Sequence, residues 1–155
     1  MRVGLVAAGA CLAAAAWAVT AAGAAVPNPC TVVASGTVAT TMGLKGVTLS
    51  GKLTTRPDGR VKQSVCTYTV GKNTIQIDLA PHQQSGGSGG PPGMVLLKLT
   101  GLGPGATYAY DTNPKFEFAS VSFTKGAIDA GIYENGSLPR ADVPALARIL
   151  YKALP

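Results

Sequence analysis

The stretch Val65-Cys66-Thr67-Tyr68-Thr69-Val70, Gly71-Lys72-Asn73-Thr74, Ile75-Gln76-Ile77-Asp78-Leu79-Ala80 decides how the rest of the chain folds. Cys66, Tyr68 and Val70 alternate with threonines, and Ile75, Ile77 and Leu79 alternate with Thr74, Gln76 and Asp78. A period of two marks a half-buried strand, so the stretch reads as a β-hairpin with one apolar face. With the turn centred on Lys72 and Asn73, Val70 faces Ile75, Tyr68 faces Ile77 and Cys66 faces Leu79. A one-residue slip would set Val70 against Thr74 and turn half the apolar set toward water.

Downstream, Pro81 to Gly93 is Pro-His-Gln-Gln-Ser-Gly-Gly-Ser-Gly-Gly-Pro-Pro-Gly. It has almost nothing to bury and predicts a flexible Gly/Ser/Pro loop over residues 81–93. No Gly-Lys-Ser/Thr ending follows its glycines, and Pro91 and Pro92 stand where a dinucleotide-binding helix would start, so no nucleotide cofactor is expected. Met94 to Leu99 is nearly continuous apolar, consistent with a strand buried on both faces or with one or two turns of helix. Ala106 to Tyr110 alternates as a strand. Phe116 to Thr124 reads as a strand whose parity changes: Phe116 and Phe118 share one face, Val121 and Phe123 the other. Either both faces are covered or a bulge near Ala119 and Ser120 re-phases it. Ile128, Ala130 and Ile132 define a further strand, and Asn135-Gly136-Ser137 reads as a turn that also matches a glycosylation sequon. The chain closes on a helix from about Asp142 to Leu154, capped by Asp142, with Pro144 in its first turn. Its Leu146, Ile149, Leu150 and Leu154 form a stripe that packs on a sheet.

Upstream, Thr54 to Arg60 predicts a turn around Pro57-Asp58-Gly59, preceded by an edge strand within Leu44 to Leu53. A poor helix former, Ser35 to Met42, is capped by Ser35 and stopped by Gly43, with Val38 and Met42 on one face. The N-terminus itself reads as an export signal: Met1-Arg2, an uncharged Ala-rich run, and Ala22-Gly23-Ala24 as the peptidase site, with cleavage after Ala24. Residues 1–24 are thus a signal peptide and residues 25–155 the mature domain. An uncleaved anchor and a lipoprotein signal at Cys11 are competing readings; the run is dominated by Ala, and the apolar stretch before Cys11 is short.

Removal of the signal takes Cys11 with it and leaves Cys30 and Cys66, an even pair in an oxidising compartment. The expected bridge closes a loop of roughly 36 residues and contributes about 3 to 4 kcal/mol by the chain-entropy argument, with Cα atoms about 4.4 to 6.8 Å apart.

The chemistry-bearing inventory is thin. Of 155 residues 13% are charged, and the formal net charge of +6 comes from single, scattered lysines and arginines. A nucleic-acid surface needs them clustered, so none is expected. The one histidine, His82, stands beside the glycine-rich loop, where a general base would lack rigid support. No second histidine completes a zinc site, so no metal is expected. The carboxylates are Asp58, Asp78, Asp111, Asp129, Asp142, Glu117 and Glu134. Several fall at turns and caps, and catalysis is not expected.

Taken in order, Asn28-Pro29-Cys30-Thr31-Val32-Val33, Met42-Gly43, Val65-Cys66-Thr67-Tyr68, Gly101-Leu102-Gly103 with Ala106, and the closing Leu146-Ala147-Arg148-Ile149-Leu150 resemble a family of small secreted proteins and lipoproteins of actinobacteria, itself of unknown function. That family often begins Pro-Cys-x-Leu-Leu and carries Cys-Thr-Tyr or Cys-Thr-Trp at the hairpin. This chain departs from it at Ser35-Gly36-Thr37, where an acidic or polar helix start is usual, and at Pro104, where an Asp usually follows Gly-x-Gly. The resemblance implies an antiparallel sheet flanked by helices, similar to PsbP-like folds. It carries over the two cysteines and no catalytic residue.

The expectation is one α+β domain: a twisted antiparallel sheet of about five to seven strands, packed with a short N-terminal helix and a C-terminal amphipathic helix. The expected function is that of an exported, disulfide-stapled, non-catalytic binding or structural protein of the extracellular space or cell envelope. Its partner would be an envelope or extracellular protein, a lipid or a glycan. The alternative is an inhibitor of secreted proteases that presents the Arg56 to Arg60 loop as bait.

Overall fold

The computed structural model describes residues 25–58, 61–82, 93–113 and 117–155. The expected signal segment (residues 1–24), Gly59 and Arg60 of the expected bait loop, residues 83–92 of the glycine-rich stretch, and residues 114–116 with Phe116 of the expected strand lie outside the described residues. Among the described residues seven antiparallel strands form one sheet: β1 Gly51–Asp58, β2 Val61–Val70, β3 Asn73–Pro81, β4 Met94–Lys98, β5 Thr107–Asp111, β6 Phe118–Lys125 and β7 Ile128–Asn135. Their spatial order is β1-β2-β3-β7-β6-β5-β4. Two meanders, β1-β2-β3 and β4-β5-β6-β7, are therefore joined where β7 returns beside β3. Among the described residues three helices complete the fold: α1 Pro29–Val32, α2 Ser35–Thr41 and α3 Asp142–Ala153. The chain is α+β, with more sheet than helix.

Strand pairing sorts the side chains into two faces, because partners across an antiparallel rung point the same way. One row runs Leu53, Cys66, Ile77, Ile132, Val121, Tyr108, Leu97; the next runs Tyr68, Ile75, Glu134, Ala119, Tyr110, Val95. On this face Cys66, Tyr68, Ile75, Ile77, Leu79, Val121, Phe123 and Ile132 are buried with Val38 of α2, Met42 at the C-cap of α2, and Val143, Leu146, Ala147 and Leu150 of α3. All three helices cover this face. Burial of these side chains, at about 25 cal/mol per Å² of apolar surface, is the main favourable term.

The hairpin forms, with a correction to its register. Tyr68 pairs with Ile75, Cys66 with Ile77 and Ser64 with Leu79, around a two-residue turn of Gly71 and Lys72. Gly71 has φ +60°, as the first position of a type II′ turn requires, and glycine adopts it without a Cβ clash. The shift from the expected pairing is two residues. Side chains repeat every two residues, so a two-residue shift keeps every one on its face, and periodicity alone does not resolve it.

Other elements also differ from expectation. The segment expected to turn at Thr54 to Arg60 is mostly strand: Thr54, Thr55, Arg56, Pro57 and Asp58 pair with Val65, Ser64, Gln63, Lys62 and Val61. Pro57 fits because β1 is an edge, where its missing N–H breaks no ladder bond on the outer side. The edge strand thus starts at Gly51, and residues 44–50 are irregular. Met94 to Lys98 is a strand but lies at the opposite edge, with Leu96 51% and Leu97 47% exposed rather than covered. β6 pairs with β7 without a bulge from Phe118↔Asn135 to Lys125↔Ile128. Both of its faces are occupied, since Phe118 meets Tyr133 on the side opposite the helices with ring centroids 6.4 Å apart. Neither Ser35 nor Asp142 caps its helix. The N-cap residues are Ala34 and Ala141, and neither makes a side-chain cap bond. Gly43 does stop α2: at φ +71° it allows Leu44 N to reach Ala39 O at 2.8 Å and Gly43 N to reach Thr40 O at 3.2 Å, the paired bonds of a Schellman end.

Candidate functional site

The bridge between Cys30 and Cys66 is present, with Cα atoms 5.1 Å apart. Asn28 makes it possible locally. Its Oδ1 accepts from Cys30 N at 2.9 Å and starts the single turn α1, with Pro29 in the first turn. That turn sets Cys30 over β2, where Cys66 points up from the covered face. Gly51 on β1 lies directly under the bridge: a Cβ there would stand 2.6 Å from Cys66 Sγ and 3.0 Å from Cys30 Sγ. The bridge therefore pins the N-terminal segment to the covered face and takes no part in the opposite one.

The opposite face, which carries no helix among the described residues, holds the polar chemistry. Its central rows are Val65, Asp78, Gly131, Ser122, Thr107, Lys98 and Thr67, Gln76, Tyr133, Ser120, Ala109, Leu96. Gln63 Nε2 donates to Asp78 Oδ2 at 3.1 Å, and Gln76 Nε2 donates to Asp78 Oδ1 at 3.1 Å. The Asp78 carboxylate is 5% exposed, and two amides from neighbouring strands hold it. Tyr133 folds back over Gly131, whose added Cβ would stand 2.7 Å from the ring. A glycine at 131 is what lets that ring lie flat along the sheet. Phe118 and Tyr133 supply the aromatic part of the surface, and Thr107 and Ser122 share a hydroxyl hydrogen bond of 2.9 Å.

At the end of β3 the same face holds His82. Its backbone N donates to Ala127 O at 2.8 Å, and its Nδ1 lies 2.7 Å from Asp129 Oδ1. Thr124 Oγ1 also donates to Asp129 Oδ1, at 2.7 Å. This corrects the expectation that His82 lacks rigid support: the imidazole is held by β7 and, through Asp129, by β6. The arrangement does not form a nucleophile relay, because the threonine hydroxyl gives its proton to the carboxylate rather than to the imidazole. The pair, 40% and 34% exposed, fixes the exit of β3.

Glu134 is the functional group that the sequence reading did not place. It continues the parity of Ile128, Ala130 and Ile132, lies on the covered face and is 0% exposed. Leu138 N donates to its Oε1 at 3.4 Å, while Oε2 and the Tyr68 hydroxyl on the same row have no hydrogen-bond partner among the described residues. Burial, reinforced by Glu117, raises its pKa to about 7 against the opposing Leu138 hydrogen bond and Arg140 charge. Burial likewise raises the Tyr68 phenol.

No family model matches the chain, and comparison with curated proteins and with solved structures finds no match. Among the described residues no helix is long and apolar enough to cross a membrane.

Proposed function

We propose that this chain is an exported, disulfide-stapled, non-catalytic binding protein of the extracellular space or cell envelope, and that it takes its partner on the helix-free face of the sheet. The observation that carries the reading is the asymmetry of the two faces. One is buried under three helices and a disulfide. The other presents amides, hydroxyls and two aromatic rings in ordered rows. A bridge between Cys30 and Cys66 fits an oxidising compartment, and the basic start with its Ala-rich run fits export. The resemblance to small exported actinobacterial proteins, and the PsbP-like architecture it implies, belong to the same proposal.

Three of the carboxylates support a non-catalytic role. Asp78 is held by two glutamines, Asp129 by Thr124 and His82, and Asp111 Oδ1 accepts from Asn113 N at 2.7 Å in its own turn. Acid–base work needs a carboxylate or imidazole aimed at an open reacting site. The inhibitor alternative has less support, because Arg56 and Pro57 are strand residues paired to β2.

The test is capture from culture fluid and envelope fractions by the exported protein, with Gln76→Arg and Ser120→Arg on the helix-free face and Arg148→Glu on α3 as control. Capture of one specific protein, lipid or glycan, lost in the first two variants and kept in the third, is the expected result. Loss only in Arg148→Glu, or retention in all three, contradicts it. Inhibition of trypsin-like or subtilisin-like proteases that disappears with Arg56→Ala would favour the alternative.

A further inference from the structure

The geometry points to a second copy of this chain as the partner of the β4 edge, through antiparallel β4–β4 pairing about a two-fold axis at Leu96. β4 is the last strand of the sheet. It is held straight at both ends, by Thr112 N to Gly93 O at 3.5 Å and by Leu99 N to Ala106 O at 3.0 Å. Its outer N–H and C=O groups have no strand partner among the described residues. Such an edge is a template for another strand unless it is guarded. The two edges of this sheet differ in that respect. β1 carries Lys52, Arg56 and Pro57, all of which discourage pairing. β4 carries Met94, Val95, Leu96, Leu97 and one charge, Lys98, with Leu96 and Leu97 about half exposed on opposite faces.

The strand is complementary to itself. Two identical antiparallel strands are related by a two-fold axis perpendicular to the sheet, and the axis that uses all five residues passes through Leu96. Leu96 then meets Leu96 of the second copy on the helix-free face, and Val95 meets Leu97 of the second copy on the covered face. Lys98 meets Met94 of the second copy, so like charges do not oppose each other. Met94 is in turn the rung partner of Asp111. Lys98 and Asp111 of the second copy therefore share one row and one face. They lie two strand spacings apart, about 10 Å, a gap that an extended lysine and an aspartate span together. Two symmetric pairs of opposite charge result. The helices of both copies fall on the same side, and the helix-free faces merge into one continuous surface.

Register-specific crosslinking tests this. In full-length protein expressed through export, Leu96→Cys places two thiols on one rung, with Cα atoms about 4.5 to 5.5 Å apart whichever rung type it is, within disulfide reach. Mild oxidation is expected to give a covalent dimer of Leu96→Cys and of a mixture of Val95→Cys with Leu97→Cys, but not of Val95→Cys alone. Sedimentation of the unmodified protein is expected to reach the dimer mass and stop there. Lys98→Asp and Asp111→Lys should each weaken dimerisation about 5-fold or more, and the double exchange should restore it within about 2-fold. A monomer at all concentrations, equal crosslinking at 95 and 96, or growth beyond the dimer through the β1 edge would each overturn the proposal. The mixed-cysteine result stands independently if Asp111→Lys fails to fold.

Discussion

Glu134 sits where an apolar residue is expected, on the covered face between Ile75 and Ala119, and its titration sets a pH dependence. Its pKa rises from the usual 4.5 to about 7 in the folded protein. The folded state therefore holds a proton that the unfolded chain has lost between those values. The contribution is present in full below about pH 4.5, is lost as pH rises through about 7, and is absent above that. The size is about 2 to 4 kcal/mol, at about 1.4 kcal/mol per unit. Glu134→Gln is expected to keep the Leu138 contact and remove this part of the slope. Urea denaturation at pH 5 and pH 8 should show the variant equal to the wild type at the lower pH and more stable at the higher one. Parallel pH profiles for the two proteins would contradict the assignment. The position was legible, since counting two residues past Ile132 keeps the same parity and places Glu134 inside. Gly51 was not, because what crowds it is a bridge brought in from α1 and β2. Gly51→Ala should destabilise by about 2 to 4 kcal/mol through overpacking and strain on the bridge. An unchanged denaturation midpoint would show that β1 yields freely there.

At the scale of elements, α3 docks through its own stripe and through one lysine at its end. Lys125 closes β6, and its Nζ donates to Tyr151 O at 2.9 Å and Leu154 O at 2.6 Å while lying 5.1 Å from the Tyr151 ring centroid. A cation at the C-terminal carbonyls of a helix satisfies orphan acceptors and the helix dipole together. Lys125→Met keeps the aliphatic stem and removes the charge, and should cost about 1 to 2 kcal/mol in thermal or urea unfolding. A change within error would mean that the apolar stripe alone holds the helix. The stripe was readable from spacing: Leu146, Leu150 and Leu154 are buried. The lysine was not, because the sequence does not show that the end of β6 meets the end of α3. The exposed β4 shows the opposite case. An unbroken apolar run argues for burial on both faces, but at the sheet edge Leu96 and Leu97 stay about half exposed on opposite faces, one of them the face that the helices cover further in.

For the whole molecule, the strand count, the antiparallel α+β architecture and the Cys30–Cys66 bridge follow from alternation and cysteine arithmetic. Strand order does not, since β7 inserts beside β3 only because the second meander folds back on the first. The helix-free face was legible as polar positions on separate strands, but not as a surface. Only the rungs bring Gln63, Gln76, Asp78 and Tyr133 together. Docking of the partner on this face follows from the proposed function. Its most direct test is site-specific photocrosslinking in the native envelope and medium, with the photoreactive group at Gln76 on the helix-free face or at Arg148 on α3. A discrete adduct from position 76 and none from position 148 is expected; adducts from position 148 alone, or equal adducts from both, would contradict docking on this face.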